Sequence, residues 1–214
     1  MADAVVCASG LVKAYGKRVV LDSVDVRVEH ASMTAVCGPS GCGKSTLLNI
    51  VGLLESADGG DLLLFGKRAP KPKSGAAQRL IREHVSYLFQ NFALVETETV
   101  ERNLLMAMRY VRGPHSEKVN LARRALDRVG LGEAHAARIH ELSGGEQQRV
   151  ALARCMVRPG ELVLADEPTG SVDSKNREVI VGVLRRMVET GKTVLVVTHD
   201  DWVASRCDSV IRLE

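Results

Sequence analysis

Aromatic residues are scarce in this chain: one Trp, three Tyr and three Phe make up 3% of its 214 residues. Nucleic-acid platforms stack bases on aromatic side chains, so their near absence around the one local basic cluster, Lys67, Arg68, Lys71 and Lys73, argues against a nucleic-acid partner. That cluster, interleaved with Pro70 and Pro72, reads as a solvated loop. The charge is balanced too, 29 Lys and Arg against 26 Asp and Glu, and the net +3 is spread along the chain. No apolar run approaches the roughly 18 residues that span a bilayer. The first ten residues, MADAVVCASG, lack the charged start and long apolar core of a signal peptide. The five cysteines, Cys7, Cys37, Cys42, Cys155 and Cys207, are an odd number without metal-ligand spacing, which fits a reduced cytoplasmic compartment. Any membrane role is therefore expected to run through a partner. Internal repeats and low-complexity segments are absent as well. What is present is an apolar fraction of 45%, ample for one large domain or a domain with an insertion.

The stretch from Met33 to Ile50, MTAVCGPSGCGKSTLLNI, runs from apolar residues through a glycine-rich turn into a helical pattern. It fits Gly38-x-x-x-x-Gly43-Lys44-Ser45, a phosphate-binding loop whose backbone N–H groups wrap phosphate oxygens at a positive helix end. Gly38, Gly41 and Gly43 allow positive φ and close approach of the backbone to the anion. Lys44 is placed to reach the β and γ phosphates, and the Ser45 hydroxyl to ligate a bridging Mg²⁺. The candidate cofactor-binding set is thus the loop itself: Gly38, Pro39, Ser40, Gly41, Cys42, Gly43, Lys44, Ser45 and Thr46. The spacing implies a nucleoside triphosphate ligand.

Three runs are apolar throughout: Met33 to Cys37, Leu162 to Ala165 and Val194 to Val197. Such runs suit strands covered on both faces, as in a parallel sheet flanked by helices. Each ends in polar residues of chemical use, at the phosphate loop, at Asp166-Glu167 and at Thr198-His199-Asp200. Ligands of open α/β sheets bind at the carboxyl ends of strands, so the three ends are expected to converge. Asp166 is the candidate Mg²⁺ ligand, and Glu167 the candidate for orienting the water that attacks the γ-phosphate. Two acids after a buried strand could equally begin a loop; the complete phosphate loop upstream favours the chemical reading. Before these runs, Val24, Val26 and Val28 alternate with Asp25, Arg27 and Glu29, the pattern of an antiparallel strand with one wet face. Tyr15, on residue type alone, reads as a core residue. Val119, Ala122, Leu126 and Val129 recur at helical spacing before Gly130, as do Ile180, Leu184, Met187 and Val188 before Gly191. Between Asn91 and Glu141 there is no comparable strand run, so this stretch reads as a mostly helical insertion.

In LSGGEQQRVALAR, from Leu142, Ser143 and Glu146 have the spacing of a capping box, and Gly144 and Gly145 leave the helix N–H groups open to a ligand. Taken alone this is a well-capped helix. In order after GPSGCGKST and before LVLADEP, however, LSGGEQQ resembles the signature motif of ATP-binding cassette (ABC) ATPases. The resemblance spans essentially the whole chain. It implies an α/β P-loop NTPase (RecA-like) fold, a parallel sheet core with an N-terminal antiparallel β-sheet and an inserted α-helical subdomain. In that division residues 1–214 form one nucleotide-binding domain, with 1–90 and 151–214 as the core and 91–150 as the helical subdomain. It also makes Tyr15 the aromatic that stacks on adenine, reversing the core reading. Gln90 in YLFQN becomes the glutamine loop, with catalytic and Mg²⁺ contacts, and Asp173 in SVDSKN the D-loop. His199 becomes the switch histidine that steadies the attacking water.

The implied assembly is a head-to-tail homodimer around two ATP molecules, in which Ser143, Gly144 and Gly145 of one chain face the γ-phosphate held by the other. ATP closure and release would drive a separate integral membrane permease, sensed through Gln90. Within the superfamily, YLFQNFALVETETVERNL and LADEPTGSVDSKN resemble the group that releases lipoproteins or exports macrolides, peptides and bacteriocins, with ALVETETVERNL closest to the bacteriocin-export subgroup. The chain departs from that pattern at His30-Ala31-Ser32 and Ser171-Val172, away from phosphate-contacting positions. It also ends at Glu214 after a last strand, with no regulatory extension expected. A second function fits the same motifs: a mechanotransducer of the cell-division type that moves no substrate. The soluble DNA-repair and chromosome ATPases are disfavoured by the lack of coiled-coil heptads. One expectation goes beyond the family: Cys42, beside Lys44 and a helix N-terminus, is a reactive thiol that ATP shields, or else a small residue tolerated there.

Overall fold

The computed structural model describes residues 4–170 and 172–213, so of the departure at Ser171-Val172 the first residue lies outside the described residues, as does Glu214. The chain opens with a hairpin, β1 (Ala4–Tyr15) and β2 (Arg18–Glu29), paired antiparallel. Val26 and Val28 are buried while Asp25 and Arg27 are exposed, the alternation expected of a half-wet strand. β3 (Met33–Cys37), buried at every position, runs into the phosphate loop and α1 (Lys44–Val51). β4 (Gly59–Leu64) and β5 (Lys67–Arg68) complete a four-stranded sheet in the order β2-β1-β4-β5. Lys67 and Arg68 therefore differ from the solvated loop expected of them: both are exposed, but their backbones pair with Leu64 and Leu63. The remaining elements are α2 (Gly75–His84), β6 (Val85–Leu88), α3 (Val100–Ala107), α4 (His115–Arg128), α5 (Gly144–Val157), β7 (Leu162–Asp166), α6 (Ser174–Glu189), β8 (Thr193–Val197), α7 (Asp201–Ala204) and β9 (Ser209–Arg212).

The second sheet has the order β6-β7-β8-β3-β9, and all of its pairings are parallel. A strand alternates its side chains, so each buried run feeds two cores. Leu162, Leu164, Leu195 and Val197 pack with α1 and with Val6, Leu11, Val26 and Val28 of the antiparallel sheet. Val163, Ala165, Val194 and Val196 face the other way, onto Ile180 and Leu184 of α6 and the helical block built on Leu104, Leu126 and Val150. The segment from Asn91 to Glu141 contains α3, α4 and two short 3₁₀ turns, Gly132–Ala136 and Ile139–Glu141, matching the expected helical insertion. α5 continues from Gly144 to Val157, so the division drawn at residue 150 falls inside one continuous helix. Among the described residues no helix is long and apolar enough to cross a membrane.

Candidate functional site

Gly41 and Gly43 take φ of 81° and 97°, and these turns close the loop between β3 and α1. A Cβ at Gly43 would lie 2.7 Å from the Val20 carbonyl oxygen, and one at Gly38 would lie 2.6 Å from the Leu213 carbonyl oxygen, so both positions need glycine. Lys44 is nearly buried, and its ammonium donates to the Gly38 and Pro39 carbonyls at 2.8 and 2.9 Å. Its cationic head is thereby held over the loop where an anion would sit. Ser45 donates its hydroxyl hydrogen to Asp166 Oδ1 at 3.0 Å, bringing α1 and the end of β7 together. Burial pushes the Asp166 carboxyl above its ordinary pKa, and the Ser45 hydrogen bond offsets part of that rise. Two adjacent hard oxygen donors beside an anion-binding loop fit a Mg²⁺ that takes its remaining ligands from phosphate and water. A cluster of three or more His, Cys, Asp or Glu able to hold a metal is absent among the described residues.

Glu167 follows Asp166 at a φ of 44°, a left-handed conformation uncommon for a residue other than glycine. Its N–H donates to the Val197 carbonyl at 2.9 Å, which locks β7 to β8 just where each strand ends. His199 Nδ1 stands 2.9 Å from Glu167 Oε2. That is an ion-pair distance without hydrogen-bond geometry, since Oε2 is buried and has no hydrogen-bond partner among the described residues. A buried acceptor lacking a donor is a suitable place for a reacting water. Tyr15, Ser40, Gly41, Gly43, Lys44, Ser45, Thr46, Gln90, Glu167 and His199 line one cleft of about 520 Å³. The three strand ends converge as the apolar runs implied.

Tyr15 is 48% exposed, which overturns its reading as a core residue from residue type. Its hydroxyl donates to the Glu55 carboxylate at 2.6 and 2.7 Å, holding the ring at the mouth of the cleft. Gln90 is followed by Phe92 and Ala93 at φ of 63° and 48°, and Arg154 of α5 donates to both carbonyls. Ser143 caps α5, accepting from the Glu146 N–H while the Glu146 carboxylate accepts from the Ser143 N–H at 2.9 Å. Asp173 caps α6 in the same way, accepting from the Asn176 N–H at 2.8 Å. Ser143, Gly144, Gly145 and Asp173 do not line the nucleotide cleft; they lie at a separate surface where α5 meets α6. Cys42 also departs from its companions. Its side chain packs against the core and lines the neighbouring cleft between β2 and β9, with Asp22, Asp25 and Arg212. A nucleotide over the loop would not cover that thiol, so shielding by ATP loses its geometric basis. Residue patterns missed Arg18, which donates to the Gly41 carbonyl at 3.1 Å and lines the nucleotide cleft. The only sequence signal for it was a basic residue three positions after Tyr15, across the hairpin turn.

The ABC transporter family profile matches residues 21–170. The lipoprotein-releasing system ATP-binding protein LolD 1 of Rhodopseudomonas palustris is 40% identical over 196 residues, which cover 91% of this chain and 87% of that protein. The macrolide export ATP-binding/permease protein MacB of Aggregatibacter actinomycetemcomitans is 35% identical over 195 residues, 91% of this chain. The chain spans 30% of that relative's length. Among solved structures, the cassette MJ0796 in its dimeric form superposes with a TM-score of 0.90 at 32% identity, over 97% of this chain and 94% of the other. A dimeric post-hydrolysis state of that cassette, bound to ADP and Pi, gives 0.89 at 31% identity over 98% and 94%.

Proposed function

The chain belongs to the ABC transporter family, and from that membership we propose that it binds ATP with Mg²⁺, hydrolyses it, and works as a homodimer driving a separate membrane permease at its cytoplasmic face. The observation that carries the reading is the meeting of Lys44, Ser45, Asp166, Glu167 and His199 at the ends of three parallel strands. Chemistry follows from that arrangement. The loop N–H groups and Lys44 bind the phosphates, and Tyr15, fixed by Glu55, offers its ring to the base. Ser45 and Asp166, with Gln90 at the cleft edge, would hold the metal. A Mg²⁺ held there would supply neutralisation of the phosphate charge that develops during transfer. Glu167 accepts a hydrogen bond from the attacking water and His199 steadies both the carboxylate and that water. Ser143, Gly144, Gly145 and Asp173, turned away from their own cleft, serve the γ-phosphate of a second chain. Export of a peptide, lipoprotein or macrolide cargo is the transport reading that the relatives support.

The test is Glu167→Gln. Turnover should be lost while ATP binding persists, so that MgATP traps a dimer in light scattering and MgADP does not. Retention of full ATPase activity would remove Glu167 from this role. Affinity capture of the trapped variant from detergent-solubilised host membranes should recover a permease with a large external domain. Capture of soluble partners alone would overturn the transport reading. Substrate-stimulated turnover of the recovered complex would favour export over a mechanotransducer of the cell-division type.

A further inference from the structure

The His199 side chain is 67% exposed, and among the described residues its imidazole has one polar neighbour, Glu167, so its placement depends largely on the backbone that carries it. On one side that backbone is anchored by Thr198, which is fully buried. On the other is Asp200, which accepts the Trp202 N–H on Oδ1 at 2.8 Å and donates its own N–H to Thr198 Oγ1 at 3.0 Å. The second carboxylate oxygen, Oδ2, is held from outside the loop. Arg177, in the first turn of α6, donates Nη1 to it at 3.0 Å. The same guanidinium lies 4.4 Å from the centre of the Trp202 ring, and Arg206 lies 3.7 Å from that centre. Two cations against one indole are mutually repulsive, and Asp200 is the anion that offsets them. Arg177 Nε is buried without a hydrogen-bond partner among the described residues. The side chain is therefore committed to Asp200 and Trp202.

The turn that carries Arg177 has a second attachment. Asn176, its neighbour, donates Nδ2 to Asp173 Oδ2 at 3.0 Å and accepts from Arg149 of α5. A Cβ on Gly145 would come within 2.9 Å of Asn176 Nδ2, so the start of α5 and this turn are in close contact. One helical turn thus grips the helix that begins at Ser143 with residue 176 and the His199 loop with residue 177. We propose that Arg177 is a positioning residue for His199: through Asp200 it holds the imidazole against Glu167, and through its own turn of α6 it ties that placement to the start of α5. The inference rests on the ATPase reading above for its consequence in turnover, but its geometry does not.

The experiment compares the full chain as wild type, Arg177→Ala, Arg177→Lys, His199→Ala and the double variant Arg177→Ala/His199→Ala, in ATP turnover and in the imidazole NMR signals of the nucleotide-free protein. His199→Ala assigns the His199 signal among the six histidines. Arg177→Ala should lower kcat roughly tenfold to a hundredfold, as expected for a misplaced catalytic group, with KM for ATP changed less than about twofold. Arg177→Lys, which keeps the charge facing Asp200, should recover part of the loss. The double variant should be no slower than His199→Ala, because Arg177 acts through the histidine. The His199 signal should shift or broaden in Arg177→Ala and much less in Arg177→Lys. Multiplicative losses in the double variant, or an unmoved His199 signal, overturn the proposal. If the wild type turns over no ATP, the ATPase reading fails, and the NMR comparison still decides the positioning. Should Arg177→Ala not fold, Asp200→Asn, which weakens the same contact, takes its place in both measurements with the same expected losses.

Discussion

Gly43 illustrates how one missing Cβ decides a site. At φ 97° any other residue is strained, and the new atom would meet Val20 O at 2.7 Å, part of the backbone and unable to move cheaply. Gly43→Ala combines a left-handed penalty of about 1–3 kcal/mol with displacement of the phosphate loop. We expect a melting temperature lower by several degrees and loss of ATP binding in titration calorimetry; wild-type affinity would show that the loop does not need this turn. Asp208 works through charge. Burial alone would raise its carboxyl, but the Met33 N–H at 2.7 Å and the Arg185 guanidinium at 2.8 Å outweigh it and hold the group below its ordinary pKa. A carboxyl depressed in the folded state stabilises above its unfolded pKa, and that contribution is lost as pH falls through the folded value. At this half-exposed site Asp208→Asn should cost about 1 kcal/mol at neutral pH. The difference from wild type should be full at neutral pH and shrink as pH falls below the ordinary carboxylate range of about 4 toward the depressed folded value. Urea titrations at pH 7 and pH 3 check it, and an equal gap at both values would refute the assignment.

At the scale of an element, α5 separates stability from assembly. Ser143 and Glu146 satisfy each other's backbone groups, so Ser143→Ala should destabilise by about 1 kcal/mol. Ser143→Arg loses the same cap and adds bulk and charge at the helix start, outside its own nucleotide cleft. It should bind ATP like wild type yet fail to form the MgATP-trapped dimer in the Glu167→Gln background. A trapped dimer of that variant would mean the start of α5 lies away from the interface. Elements differed in how much they betrayed themselves. The runs of β3, β7 and β8 are apolar but for the buried Thr34, because both faces are covered. α2 shows only a short stripe, buried Ala77 with half-buried Leu80 and Ile81, while β4 begins with two glycines and buries only Leu64. β6 is four residues long, too short for a period to emerge.

For the whole molecule, the separation of the phosphate-loop cleft from the start of α5 makes the proposed assembly testable by kinetics. If the start of α5 completes the cleft of another copy, turnover per chain at saturating MgATP should rise with protein concentration until the dimer is populated. Ser143→Arg should flatten that dependence at the low-concentration rate. A wild-type rate independent of concentration across the range where light scattering sees monomer would place the complete site within one chain.

Local patterns in the sequence determined what each segment is: the glycine spacing of the phosphate loop, the capping box at Ser143, the buried strand runs and the carboxylates that end one of them. Each is written within a few consecutive residues, because backbone conformation and helix capping are short-range effects. The helical character of residues 91–141 was legible from the lack of a strand-like apolar run there, beside the periodicity that marks α4. Only the tertiary structure decided which of these segments meet. Ser45 and Asp166 are 121 residues apart and touch because β7 and β3 both flank β8, a strand order that no local pattern carries. It also turned Cys42 toward the core, left Tyr15 in the open, brought Arg18 to the loop and set Arg177 against Asp200. These placements follow from how two sheets and a helical block share their apolar faces, a condition that the chain satisfies only as a whole.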